Sequence, residues 1–319
     1  MLCCKNNKIE VTIELRKDHP FFQRLKNNPP LWWNNLKSDT ELYIDVRKDN
    51  SLNVYHNGGS IMKLESIKKS KETIEFKAQI HFEYIPLQLD KESDYLPFKF
   101  KGENIYMPEH KTIDINNFAK QSIKKIKKRI KMFYPNDSEK GIQGRYVINN
   151  KISKSANGFF IDTEYQYGDK RIDMVWVDLI EKKIAFVELK TIGDARLYVD
   201  KTKNQETVEN QLEKYYKFAR ANRDHLVKYY NEVYDIKREL GILPAFVKEE
   251  SLKGYKLIEK PIFLVGDCTR KWINKNADDL NSHLKNIAFG CVYHGIKTLN
   301  FKIPYKTSRN NNCFRLNGA

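Results

Sequence analysis

Residues 158–190 read GFFIDTEYQYGDKRIDMVWVDLIEKKIAFVELK. Val, Ile, Phe, Tyr and Trp fill three runs separated by Gly168-Asp169 and Glu181-Lys182, the composition of strands joined by turns. With Gly168-Asp169 as a two-residue turn, Tyr167 pairs with Lys170 and Glu164 falls opposite Asp173. With Glu181-Lys182 as the next turn, Ile180 pairs with Lys183, so Val175 faces Glu188 and Asp173 faces Lys190. Opposed residues share a face, so Glu164, Asp173, Glu188 and Lys190 gather on one side of a three-stranded meander, at one end. A one-residue slip would scatter them.

Three carboxylates and an ammonium on otherwise apolar strands are costly unless something compensates. A divalent cation does so. Asp and Glu oxygens suit Mg²⁺ or Mn²⁺, which share phosphate oxygens with a substrate. Such an ion acidifies a bound water and offsets charge developing on a phosphate; Lys190 is suited to orient that water or offset the same charge. Taken alone, Asp173 and Glu188-x-Lys190 also fit a solvated sheet face with cross-strand ion pairs.

Arg171-Ile172-Asp173, then fourteen residues, then Glu188-Leu189-Lys190 in strand, turn, strand context resembles the PD-(D/E)xK nuclease superfamily. In the next helix Gln211 and Tyr215, four apart on one face, resemble the QxxxY motif of its RecB-like branch. The resemblance runs from about Asn116 to Pro304 and implies an α/β fold with a restriction-endonuclease-like αβββαβ core. It implies that Asp173 and Glu188 hold Mg²⁺ or Mn²⁺, that Lys190 assists the attacking water, and that Gln211 and Tyr215 position substrate or the lysine. DNA is then favoured over RNA as substrate, and a free-standing nuclease of this build is similar to restriction or antiphage-defence effectors. Ile172 stands where the family's proline would. The segment Asn116–Tyr134, taken as the first core helix, has no acid, so a third metal ligand falls to Glu164 or Glu139.

The charge distribution agrees with a polyanionic partner. The chain has 319 residues, 57 Lys+Arg and 41 Asp+Glu, a net charge of +16. Residues 1–110 hold 17 Lys+Arg and 16 Asp+Glu, so nearly all the excess lies beyond them. Lys120–Lys131 has seven cations and no acid, while Ile123, Ile126 and Ile130 recur as on one helix face. Lys124, Lys125, Lys127, Lys128, Arg129 and Lys131 are the candidate phosphate contacts, with Arg196 in the loop after the ELK strand. A solvated charged face is the bland reading of that helix, and an ion pair with Asp194 that of Arg196.

The first third reads as a small β-rich domain, residues 1–110, with strands at Ile9–Leu15, Leu42–Arg47, Leu52–His56, Ser60–Leu64 and Thr73–Phe82. A helical insert from Pro20 to Leu36 breaks at Pro29-Pro30, and its Trp32-Trp33 pair reads as packing. Pro86–Glu109 reads as a linker to the nuclease-like domain, residues 111–319. The near-neutral module suits a sensor, specificity or protein-docking role. After the three strands the sequence predicts a helical stretch at Gln205–Leu240, a strand at Ile262–Asp267, a helix at Asn276–Ile287 and a strand at Lys297–Pro304.

Composition excludes other classes. Five cysteines without CxxC spacing suggest neither a disulfide framework nor a zinc site, and no His pair has ligand spacing. No phosphate-binding Gly-x₄-Gly-Lys loop occurs, and no apolar run reaches membrane-spanning length. A cytoplasmic protein is expected, with no membrane partner. The competing reading is a catalytically inactive nucleic-acid-binding or scaffold protein of the same fold.

Overall fold

The computed structural model describes residues 15–67, 75–81, 84, 95–101, 104–106, 112–114, 123–168, 170–198, 207–295 and 301–303. Two short helices, α1 (Pro20–Asn27) and α2 (Leu31–Ser38), break at Pro29-Pro30 and bury Phe21, Phe22, Trp32, Trp33 and Leu36. The tryptophans are therefore core.

Seven antiparallel strands follow as a meander: β1 (Tyr43–Val46), β2 (Leu52–His56), β3 (Gly59–Ile67), β4 (Glu75–His81), β5 (Tyr95–Lys101), β6 (Asn104–Tyr106) and β7 (Thr112–Asp114). Asn57 and Gly58, at φ 47° and 80°, make the tight turn between β2 and β3. Strands β5 and β6 occupy the stretch that the sequence reads as a linker. Within it Pro97 pairs with Gln79 of β4, and pairing to β6 begins only at Lys99. A proline is tolerated where one edge of a strand is open.

The second sheet has the order β12-β11-β10-β9-β8. Strands β8 (Gly158–Tyr167), β9 (Lys170–Asp178) and β10 (Lys183–Thr191) are antiparallel; β11 (Lys256–Gly266) and β12 (Gly290–Tyr293) continue parallel to β10. Before them stand α3 (Ile123–Phe133) and α4 (Glu139–Lys151). Helices α5 (Val208–Ala221) and α6 (Arg223–Glu239) connect β10 to β11, and α7 (Arg270–Leu284) connects β11 to β12. The fold is mixed α/β.

Two expectations are corrected here. An additional helix, α4, separates the basic helix from the strands. Among the described residues the last strand is Gly290–Tyr293; of the expected strand Lys297–Pro304 only 301–303 are described, and these are not strand. The alternation Leu299, Phe301, Ile303 mimics a strand, but Phe301 instead caps a sheet face, with its ring 5.5 Å from Phe160 and 4.9 Å from Trp176.

Strand β10 is buried along both faces. Ile184 and Phe186 lie in one cluster with Leu212, Tyr215 and Phe218 of α5 and Tyr230 of α6. Ala185, Val187 and Leu189 join Ile142 and Tyr146 of α4 and Phe301 in the other. Among the described residues no helix is long and apolar enough to cross a membrane.

Candidate active site

The hairpin β8–β9 has the register expected from the sequence, with Tyr167 on Lys170 and Thr163 on Met174. The next hairpin differs by two residues. Lys183 pairs with Asp178 and Phe186 with Val175, because the turn spans residues 179–182. Asp178 accepts from the N–H groups of Ile180 (3.0 Å) and Glu181 (2.8 Å), and Lys182 takes φ 52°. A two-residue shift preserves the face. Asp173 consequently stands beside Glu188 instead of Lys190.

The ladder between β9 and β10 ends at Val187 and Met174. Beyond it Asp173 Oδ2 accepts from the Leu189 N–H at 2.9 Å, while β10 stays zipped to β11 through Glu188 and Lys190. The two strands thus fork around the Asp173 carboxylate. Lys190 Nζ pairs with Glu188 Oε1 and donates to Leu189 O at 2.9 Å; Asp173 Oδ2 is 4.0 Å away and Glu139 Oε2 3.8 Å. Glu188 and Lys190 are buried, at 1% and 2% exposure.

Three carboxylates share one ammonium, a net charge of −2 if all ionise. Burial, reinforced by Asp173, pushes the Glu188 carboxyl well above its usual range. Burial likewise raises Glu139, with Lys190 opposing and Asp173 adding to the rise. Burial works against the charge of Lys190, but Glu188, Asp173 and Glu139 outweigh it and hold the proton more tightly. The second oxygen of Glu188, Oε2, is buried without a hydrogen-bond partner.

Those features fit a divalent cation, which would balance the −2 and satisfy Oε2. Among the described residues, no group of three or more His, Cys, Asp or Glu is already set to hold a metal ion. Lys190 Nζ stands between the acids, so ligation requires its head group to yield.

Glu139 reaches the site because Ser138 caps α4, its Oγ accepting from Gly141 N at 3.1 Å, and the acid sits in the favourable first turn. The same helix supplies two residues absent from the sequence reading. Gln143 Nε2 donates to Asp173 O at 2.6 Å and to Glu164 Oε1 at 3.0 Å. Lys140 pairs with Glu164, and burial lowers it to about 8. Glu164 takes φ 57°, and its other oxygen holds Arg171 Nε at 2.7 Å. Its charge is met by two cations, so of the two candidate third acids Glu139 is the one facing Lys190.

Tyr215 is buried on α5 and donates to Arg171 O at 2.8 Å, two residues before Asp173; it accepts from Gln211 Nε2 at 2.7 Å. Gln211 Oε1 is buried and unpartnered. Tyr229, Tyr230 and Tyr234 are core. Arg196 forks onto Asp194, with Nε 2.9 Å from Oδ1 and a terminal nitrogen 2.5 Å from Oδ2.

On α3, Ile123, Ile126 and Ile130 are buried as expected. The cations of that helix divide into two groups. Lys127 pairs with Asp39 and with Glu41 at 3.0 Å, and Lys131 with Glu41 at 3.6 Å, whereas Lys124, Lys125 and Lys128 are exposed. Arg129 is part-buried. The compensating acids come from the N-terminal segment.

A separate buried network joins β1 to β8 and α6. Arg47 donates to Asp162 Oδ1 (2.6 Å), Thr163 O (2.8 Å) and Tyr55 Oη (2.7 Å); Asp45 accepts from Thr163 Oγ1 (2.6 Å) and Lys237 Nζ (2.8 Å). Comparison of the chain with family models, curated proteins and solved structures gives no match.

Proposed function

We propose that the chain is a metal-dependent nuclease with a restriction-endonuclease-like core, hydrolysing phosphodiester bonds in DNA. The observation that carries this reading is Asp173 beside the buried pair Glu188 and Lys190 at the fork of β9 and β10, with Glu188 Oε2 unpartnered. Asp173 and Glu188 would hold Mg²⁺ or Mn²⁺, with Glu139 as the third acid. When bound, the ion supplies a more acidic water and positive charge toward the phosphate.

Lys190, whose proton is held more tightly than usual, acts as a cation: it donates to the attacking water and offsets negative charge on the phosphate, without serving as the base. Tyr215 is a positioning residue, fixing β9 through the Arg171 carbonyl. Lys124, Lys125 and Lys128, exposed on α3, suit the phosphate backbone, and the affinity they add falls with salt. The N-terminal module holds α4, and with it Glu139, against the sheet.

The test is incubation with supercoiled, linear and single-stranded DNA and with RNA, in Mg²⁺, Mn²⁺ or EDTA, beside a Glu188→Ala variant. Cleavage in metal, absent in EDTA and in the variant, is expected. A variant that cuts as well as the parent overturns the proposal, and so does a parent that binds DNA but leaves it intact under every metal condition.

A further inference from the structure

A cavity of about 810 Å³ lies away from the carboxylates, between α2 and β1 on one side and the ends of α4 and α6 on the other. Five lysines line it, Lys37, Lys151, Lys154, Lys237 and Lys248, with a single acid, Asp45. Asp45 is already committed to Lys237 and Thr163.

Several lysines touch carbonyls: Lys37 donates to Leu240 O (3.2 Å), Lys151 to Asp39 O (3.1 Å) and Leu42 O (2.5 Å), and Lys248 to Ala245 O (2.9 Å). Carbonyls carry no formal charge, and each ammonium has three donors. The C-terminal ends of α2, α4 and α6 contribute roughly half a negative charge each. Five cations less one acid leave four positive charges, so the three helix ends still leave more than two unmet. Lys151 registers this: burial lowers its proton affinity, Asp39 opposes, and Lys237 and Lys127 lower it further.

The remaining wall mixes the rings of Tyr43, Phe160 and Phe246 with hydroxyl and amide groups, among them Ser38, Thr40 and Asn150. Volume, charge and wall together match a small-molecule site, which typically spans about 300–1,000 Å³ with a few convergent polar groups. The cations surround a concavity, unlike the exposed row on α3. We propose that this cavity binds a small phosphate ester of nucleotide size, its phosphates among the lysines and its ring against the aromatic wall. Neither the cavity nor its charge depends on the nuclease reading.

The test is calorimetric titration of the full chain with pyrophosphate and with ATP, in EDTA at physiological salt, so that no metal bridges phosphate to the Asp173 site. One saturable site is expected, tighter for ATP than for pyrophosphate. A Lys154→Glu, Lys248→Glu double variant, both rim positions exposed, should weaken it at least about tenfold, the scale of lost charged hydrogen bonds. A charge-matched Lys124→Glu, Lys128→Glu variant on α3 should stay within about twofold, because these exposed charges line no part of the cavity and are screened by salt. Equal weakening by both variants would reduce the binding to attraction by net charge and overturn the proposal. Absence of saturable binding by either probe at millimolar concentration would overturn it too.

Discussion

Gly144→Ala tests whether the N-terminal module sets the position of the site helix. A Cβ at residue 144 would contact Gly58 N and lie 2.5 Å from the Asn57 carbonyl carbon and 2.6 Å from Asn57 Cα. Carbon atoms pack at about 3.5–4.0 Å, so α4 and the β2–β3 turn must part by roughly 1 Å. In an open helix the same substitution would stabilise by about 1 kcal/mol through helix propensity. Overpacking against backbone costs about 1–3 kcal/mol, so the clash wins and the variant loses up to about 2 kcal/mol. Gln143, which ties α4 to Asp173 O and Glu164, and Glu139 at its head move with the helix. A displacement near 1 Å lowers kcat by on the order of a hundredfold while substrate binding through α3 persists. Urea unfolding reads the stability, and cleavage kinetics read the rate. Gly193→Ala, where an added Cβ meets nothing within 4 Å, is the matched control. A Gly144→Ala protein more stable than the parent and equally active would refute the reasoning.

Glu188 has a raised carboxyl pKa, so the folded state binds its proton more readily, and stability falls as pH rises above the ordinary 4.5 toward the raised folded value. In EDTA at pH 7, Glu188→Gln should therefore be more stable than the parent by roughly 1–2 kcal/mol, with the difference vanishing near pH 4; added Mg²⁺ should raise the melting temperature of the parent alone. Arg47→Met strands Asp162, whose Oδ2 is already buried without a partner, and should cost about 3–5 kcal/mol in urea unfolding. Lys124→Ala and Lys128→Ala should leave stability within about 0.5 kcal/mol and flatten the salt dependence of DNA binding, whereas Lys127→Ala, which uncovers Asp39 and Glu41, should lower stability by about 1 kcal/mol. Tyr215→Phe leaves the Arg171 carbonyl without its 2.8 Å donor, and should cost about 1–2 kcal/mol and lower kcat more than it changes KM.

The strand triplet was legible because period-2 alternation and Gly168 define the first hairpin outright. The second hairpin misled because Glu181-Lys182 looked like a complete turn, while Asp178 opened it two residues earlier through its side chain. The side-by-side placing of Asp173 and Glu188 survived, since an even shift leaves alternation intact, whereas Glu164, at φ 57°, turned to Lys140 and Arg171 instead.

Helix α4 escaped because Gly141 and Gly144 each weaken helix propensity by about 1 kcal/mol. Those glycines exist for contact: a Cβ on Gly141 would strike Pro135 O, and one on Gly144 the β2–β3 turn. The Ser138 cap followed by Glu139 was the available signal. Gln143 and Lys140 gave none, because their partners on β8 and β9 are at least 21 residues away in sequence. The basic run was legible as an amphipathic helix, but the acids that claim Lys127 and Lys131 lie in the N-terminal segment, beyond the reach of local charge counting.

The most direct test of the central claim is the Mg²⁺-dependent cleavage rate of a labelled DNA duplex by the homogeneous protein, compared with Asp173→Asn and Lys190→Met variants of matched fold. The account predicts cleavage by the parent and a loss of at least about a hundredfold in each variant, the scale of removing one group that stabilises the transition state. Cleavage undiminished in both variants would contradict it.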